Sequence, residues 1–330
     1  MADEFPTFGI MKPKEGVKER IEETYAAMLN DVSTIFPQSV IDEHGPQRIY
    51  LPDYVFPPDG WTKVFQEGLA EYGARYSFDG KSVAEIGVGS GINALYLLQA
   101  HQPASVYGSD INDKTAMAAA WNVMLNLPSD KSEKYRAVLG DWNLADWMPQ
   151  RGKIGVFIGC LPQAPLPKGV DIKAGNHYGD YYDPERFEGE SNPELKAYAH
   201  RMNELGLGLN NSALATFNKK LDIGAHVILN FGGRPSLENL EEMFRSNGFK
   251  MEVLKESVVE QDSKTDINPF VDRERELQET DANFSFEFYS NPEGTQRITA
   301  AEAHQLRDVE GKHIYHKIYV LLGEKERELE

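Results

Sequence analysis

A carboxylate, three glycines and an amide stand at the spacing Glu85-x-Gly87-x-Gly89-x-Gly91-x-Asn93, directly after the apolar run Val83-Ala84. Residues of these types bind rather than react. Glycine allows backbone conformations closed to other residues and lets a ligand come close, while a helix starting here presents unpaired N–H groups to it. The turn therefore suits a nucleotide-like ligand. A second carboxylate, Asp110, closes the next β-rich run about 20 residues after the glycines, where an acidic side chain can accept both hydroxyls of a ribose. The neighbouring Ile111 can pack on the attached base, and Asp110 or Asn112 could instead cap the helix that follows.

These groups converge only if a strand precedes each of them. Strand-like segments at 83–87, 105–109, 135–140, 154–159, 225–231, 249–255 and 313–322 alternate with helical patterns, which predicts an α/β fold with a doubly wound parallel sheet. Gly232-Gly233-Arg234-Pro235 follows the fifth of these segments. It puts the guanidinium of Arg234 at the ligand-binding edge, able to grip a carboxylate or to serve a structural ion pair. Ahead of the sheet, apolar positions from Val17 to Val32 predict a helix within 13–36, and Asp59-Gly60-Trp61 leads into a second through Val64, Phe65, Leu69 and Tyr72. Residues 1–78 read as a helical or loop-rich cap, whose Tyr50, Tyr54, Phe56 and Trp61 pack the core or, on the family resemblance given below, close the site.

Composition narrows the partners. The 330 residues include 34 basic and 52 acidic ones, a net charge of −18, which lacks the electrostatic footprint for nucleic acid or an anionic membrane. A small-molecule substrate is expected. Cys160 is the only cysteine, so no intrachain disulfide can form, and it reads as a structural thiol rather than an activated nucleophile. The N-terminus lacks the regions of a signal peptide, so a cytoplasmic protein is expected; a homodimer stays open. His177, His200 and His226 have no metal-ligand spacing, and no metal is expected.

A dinucleotide fingerprint wants Gly or Ala where this chain has Ile92. The spacing Glu85-x-Gly87-x-Gly89-x-Gly91 instead resembles motif I of the class I S-adenosylmethionine-dependent methyltransferases. The resemblance implies a Rossmann-like seven-stranded sheet with helices on both faces, its last strand inserted antiparallel, and S-adenosylmethionine as cofactor. It places Glu85 near the cationic methionine end, with Gly87, Gly89, Gly91 and Asn93 forming the turn beneath. Asp110, Ile111 and Asn112 fall at the ribose and adenine, Asp141 at the adenine amino group and Trp142 on its face. The implied organisation is a cap over 1–78 and a methyltransferase domain over 79–330, with insertions at about 165–205 and 257–312.

Gly159-Cys160-Leu161-Pro162-Gln163, Gly206-Leu207-Gly208-Leu209, Asn230-Phe231-Gly232-Gly233-Arg234-Pro235 and Thr265-Asp266-Ile267 are together similar to the methyltransferase part of the methionine S-methyltransferases. With Phe56–Trp61 and Phe284–Phe288, the similarity runs over about residues 50–290. It implies methyl transfer to the thioether of L-methionine, giving S-methylmethionine and S-adenosylhomocysteine, and, for a short bacterial form, the first step of dimethylsulfoniopropionate synthesis. On that resemblance Cys160 lies by the cofactor, Pro162 by the acceptor and Gln163 in the catalytic set. A thioether carries no proton, so alignment and exclusion of water replace a general base. Tyr178 and Tyr182 could face the charged sulfurs and Tyr181 the acceptor; Arg234 would take its carboxylate and Asp266 its ammonium. The loop Gly175-Asn176-His177-Tyr178-Gly179-Asp180-Tyr181-Tyr182-Asp183 does not align with the plant pattern. The acceptor therefore stays open: cyclisation of S-adenosylmethionine to azetidine-2-carboxylate and methylthioadenosine is one alternative, and cofactor binding without turnover is another.

Overall fold

The computed structural model describes residues 10–11, 35–38, 47–52, 55, 57–139, 154–165 and 193–329. The chain divides into two compact units, one of Met1–Cys160 with Lys219–Leu229, the other of Leu161–Asn218 with Asn230–Glu330.

The first unit is built on β4 (Ser82–Ile86), whose Val83, Ala84 and Ile86 are wholly buried. Burial of successive residues, rather than of alternate ones, belongs to a parallel strand covered on both faces. Around it lie β5 (Ser105–Ser109), β6 (Tyr135–Val138) and β1 (Ile10–Met11) on one side, and β7 (Val156–Gly159) and β8 (His226–Gly232) on the other. The order is β1-β6-β5-β4-β7-β8, and every pair is parallel. A separate antiparallel hairpin joins β2 (Ile35–Gln38) to β3 (Gln47–Tyr50).

Helix α1 (Gly60–Tyr76) starts on a capping box in which Asp59 accepts from Thr62 N and Thr62 Oγ1 accepts from Asp59 N. It buries Phe65, Leu69 and Tyr72. Its far end is fastened at the strand starts, where Tyr72 Oη lies 2.9 Å from His226 Nδ1 and accepts from Lys81 Nζ at 3.1 Å. Helix α2 (Ile92–Ala100) is buried from Ile92 to Leu98, as a helix apolar on all sides must be. Helix α3 (Asp113–Asn126) and the single turn α4 (Ser129–Ser132) follow.

The second unit holds α5 (Pro193–Glu204), most of α6 (Gly208–Lys220), the end of β8, and α7 (Leu237–Ser246). Two long strands, β9 (Phe249–Glu260) and β12 (Tyr315–Lys325), pair antiparallel with an irregularity between Val320 and Leu321. Between them in sequence come α8 (Asn268–Gln278), the short strands β10 (Phe288–Tyr289) and β11 (Arg297–Ile298), and α9 (Ala300–His304), which continues as a π-helical turn. β10 pairs antiparallel with both β11 and β12.

Each of the seven expected strands is present, with β9 and β12 extending past their expected ends at 255 and 322. One expectation needs correction. Ile35 and Phe36, the end of the helix expected over 13–36, lie in strand β2, where pairing with Tyr50 and Ile49 overrides the helical spacing; residues 12–34 lie outside the described residues. Most charges of the segment 257–283 are exposed, as a charge-rich insertion predicts, with Arg273 and Glu274 the buried exceptions. Glu274 accepts from Phe286 N at 2.8 Å and from Ala300 N at 3.2 Å, and Arg273 Nη1 meets Glu204 and Glu276 at 2.9 and 2.7 Å. Backbone donors and opposite charges make that burial tolerable.

Candidate functional site

In the first unit Gly87, Gly89 and Gly91 all have positive φ, at 64, 54 and 76°. The reasons for glycine differ along the turn. A Cβ on Gly91 would lie 2.9 Å from both Cα and Cβ of Ala119, so α3 packs directly on that backbone. A Cβ on Gly89 would meet nothing nearer than Gly87 O at 4.0 Å, which leaves open space on the turn's outer side. Val88 N donates to Ser109 O at 3.0 Å and ties the turn to the end of β5.

Asp110 follows that end. Its Oδ2 accepts from Gly89 N and its Oδ1 from Asn112 N, both at 3.2 Å, so one carboxylate links the glycine turn to the start of α3. A carboxylate has about four acceptor sites, and capacity remains for further hydroxyl donors. Burial raises the Asp110 pKa, against the three backbone N–H groups that lower it. Asn112 caps α3, its Oδ1 accepting from Lys114 N at 3.0 Å. Ile111 between them is 53% exposed, an apolar side chain held out beside the turn.

Glu85 is wholly buried beneath the turn. Asn93 Nδ2 donates to its Oε1 at 2.9 Å, while Oε2 has no hydrogen-bond partner among the described residues. Burial pushes its pKa up to about 8, outweighing the lowering by Asn93, and Asp110 adds to the rise. The carboxyl is thus neutral at neutral pH, and a cation arriving at the turn would favour its ionisation. An orphaned acceptor, an open glycine surface, a second carboxylate and an exposed apolar side chain together fit a cationic nucleoside.

Three polar residues with no obvious local motif support this arrangement. Asn122 of α3 pairs with the backbone of Tyr50 and donates to Ser90 O at 2.9 Å; Gln66 of α1 donates to Ile92 O at 3.3 Å. Tyr135 of β6 is buried against Gly108. The available signal for Asn122 is a polar residue inside the apolar stripe of Ala118, Ala119 and Val123, which implies a buried hydrogen-bond task.

The structure gathers Glu85, Gly87, Gly89, Gly91, Asn93, Asp110, Ile111 and Asn112 around one turn. Cys160 ends the first unit as a half-buried, unbridged thiol. In the second unit Gln163 Nε2 donates to Asn230 O at 2.7 Å and its Oε1 accepts from Gly232 N at 2.9 Å; Pro162 precedes it, half-buried. Arg234 is buried, donates from Nη1 to Gln261 Oε1 at 2.7 Å and lies over the Phe270 ring at 5.1 Å. Burial lowers its pKa to about 10. Asp266 is exposed, and its Oδ1 accepts from both Asn268 N and Asn268 Nδ2 at 2.9 Å. Asp141, Trp142, Tyr178, Tyr181 and Tyr182 lie outside the described residues. Among the described residues no cluster of three or more His, Cys, Asp or Glu could hold a metal ion, and no helix is long and apolar enough to cross a membrane.

No protein-family model matches the chain. It is similar to methionine S-methyltransferase of Zea mays, at 28% identity over 284 residues, covering 81% of this chain and 24% of that protein. The enzyme of the same name from Hordeum vulgare is 27% identical over 267 residues, covering 76% and 23%. The chain therefore spans about a quarter of the length of these curated relatives. Among solved structures, a precorrin-6y C5,15-methyltransferase from Geobacter metallireducens superposes with a TM-score of 0.41 at 10% identity, covering 84% of this chain and 94% of that one.

Proposed function

We propose that the glycine turn holds S-adenosylmethionine and that the chain transfers its methyl group to the sulfur of L-methionine, giving S-methylmethionine. The observation that carries the cofactor assignment is Glu85, a buried carboxyl with a partnerless oxygen beneath an open glycine surface. The names of the curated relatives support the acceptor.

When bound, S-adenosylmethionine supplies a methyl group on a positively charged sulfur. Glu85 gives up its proton and faces the positive charge at the methionine end. Asp110, already fixed by Gly89 and Asn112, accepts the ribose hydroxyls, and Ile111 covers the base. Arg234 and Asp266 are assigned to the carboxylate and ammonium of the acceptor, with Pro162, Gln163, Tyr178, Tyr181 and Tyr182 lining it, and Asp141 and Trp142 are assigned to the adenine. A thioether brings no proton, so none of these residues has to remove one. The resemblance extends the proposal to a cytoplasmic enzyme whose product enters dimethylsulfoniopropionate synthesis.

Mass spectrometry of the purified protein with S-adenosylmethionine, with and without methionine, tests this reading. S-methylmethionine and S-adenosylhomocysteine, formed only when methionine is present, are expected. Methylthioadenosine and azetidine-2-carboxylate without an acceptor would replace transfer by cyclisation, and binding without any product would leave a cofactor-binding protein.

A further inference from the structure

Under the glycine turn three buried polar atoms have no hydrogen-bond partner among the described residues: Glu85 Oε2, Asn93 Oδ1 and Tyr135 Oη. Two belong to the cradle itself. The third comes from β6, two strands away from Glu85.

Strand register explains how the phenol arrives there. Glu85 pairs with Gly108, and Gly108 with Ala137, so all three share one face of the sheet. Tyr135, two residues before Ala137, points to that same face. Gly108 contributes no side chain, and a Cβ there would overlap Tyr135 Oη and lie 2.9 Å from its Cζ. The ring thus fills the place that a side chain at 108 would occupy. Burial first, then the charges of Glu85 and Asp110, drive the Tyr135 pKa well above the ordinary phenol range. Tyr135 therefore keeps its proton at any working pH and can only donate it in a hydrogen bond.

The titratable groups facing Glu85 are Asp110, after β5, and Tyr135, from β6. Helix α2 presents Asn93, which does not titrate, and β7 presents Ile158, the registered neighbour of Glu85. A buried carboxylate is stable only when donors satisfy it. Asn93 serves Oε1; of the three partnerless atoms under the turn, the Tyr135 hydroxyl is the one built to donate to an ionised carboxylate.

We propose that Tyr135 is a positioning residue for Glu85: when a cation settles at the glycine turn and Glu85 loses its proton to solvent, the Tyr135 hydroxyl turns to donate to Glu85 Oε2 and fixes the carboxylate. The inference rests on the reading that a cationic cofactor occupies the turn. It makes binding release a proton at neutral pH, and it makes Tyr135 matter to the bound state more than to the empty one.

The test is the dissociation constant of S-adenosylmethionine by calorimetry across neutral and alkaline pH, for the unaltered protein and for Tyr135→Phe, alongside the melting temperature of each without ligand. For the unaltered protein the affinity should rise with pH and level off near the Glu85 value of about 8. Tyr135→Phe should bind about tenfold more weakly at neutral pH, where the free protein holds Glu85 protonated, as loss of a hydrogen bond to a charged group predicts, and approach the unaltered protein on the alkaline plateau. Its plateau should begin at higher pH, while its ligand-free melting temperature should not fall. Unchanged affinity and plateau, or a lower melting temperature with an unchanged pH profile, would reduce Tyr135 to packing and overturn the inference.

A measurement without any variant covers the case in which Tyr135→Phe does not fold. With carbon-13 at the glutamate carboxyls and tyrosine Cζ, saturation of the unaltered protein should shift the Glu85 carboxyl as deprotonation does and move the Tyr135 Cζ resonance with it. A Glu85 shift with a stationary Tyr135 would overturn the inference alone. Absence of S-adenosylmethionine binding at every pH would overturn the cofactor reading, and this inference with it.

Discussion

Asn122 engages the backbone of Tyr50 as a neighbouring strand would: Tyr50 N donates to Asn122 Oδ1 at 2.6 Å, and Asn122 Nδ2 donates back to Tyr50 O at 2.9 Å. The same nitrogen reaches Ser90 O, so one buried amide ties the end of β3 to the glycine turn. Asn122→Ala would remove hydrogen bonds from one buried N–H and two carbonyls, at a cost of roughly 2–4 kcal/mol. The expected result is a lower denaturant midpoint at unchanged m, together with weaker S-adenosylmethionine binding. A midpoint within error of the unaltered protein would show that water replaces the amide without loss.

Gly91 and Gly89 should fail in different ways when replaced by alanine. At Gly91 the new methyl meets Ala119 and φ is 76°, so stability should fall by about 2–4 kcal/mol. At Gly89 the space is open; only the left-handed backbone is penalised, by about 1–2 kcal/mol, but the methyl occupies the ligand's approach. Thermal melts should rank Gly91→Ala as the less stable variant. Gly89→Ala should remain folded and lose S-adenosylmethionine affinity; retained affinity would move the ligand elsewhere.

The buried carboxyl of Glu85 sets a sign for the pH dependence of the ligand-free protein. Its folded value of about 8 lies above the ordinary carboxylate value. Between the two the folded state holds more protons than the unfolded chain, so this contribution to stability falls as pH rises through that window and is flat above it. Glu85→Gln removes the titration. The variant should melt close to the unaltered protein at about pH 5 and above it at about pH 8.5, yet bind S-adenosylmethionine poorly. A melting difference that does not change with pH would mean that Glu85 is ionised in the empty site.

In the second unit, the Gln163 side chain bridges Asn230 O and Gly232 N, copying the donor and acceptor of a peptide group. Gln163→Ala should cost about 1–3 kcal/mol through the lost hydrogen bonds to two buried backbone groups. Gln163→Glu keeps the shape but sets a carboxylate against Asn230 O, and should be the worse of the two above neutral pH. Equal stability of the two variants by chemical denaturation would argue that the bridge carries little weight.

The glycine turn, Asp110 and the expected strands were legible because each is a local pattern: alternating glycines, a carboxylate after a β-rich run, unbroken apolar stretches. What escaped depends on partners far away in sequence. Asn122 and Tyr50 are 72 residues apart, and nothing near either names the other. The short strands β2, β10 and β11 exist through pairing rather than propensity, and β10 and β11 have two residues each. Glu274 looked like one more solvated charge until Phe286 N and Ala300 N came to meet it. Arg234 was placed after the fifth strand correctly, but its burial against Gln261 and Phe270 could not be read from the tetrapeptide around it.

Gly108 and Tyr135 share a single volume, so they cannot drift independently through evolution. A lineage that enlarges position 108 first meets a clash with the phenol, and one that shrinks position 135 first opens a void beside Glu85. Either path passes through a weakened ancestor unless both positions change together. Substitutions at 108 and 135 should therefore be inherited as a pair, leaving a covariation signature that marks this strand arrangement even where the glycine turn alone is too common to identify it.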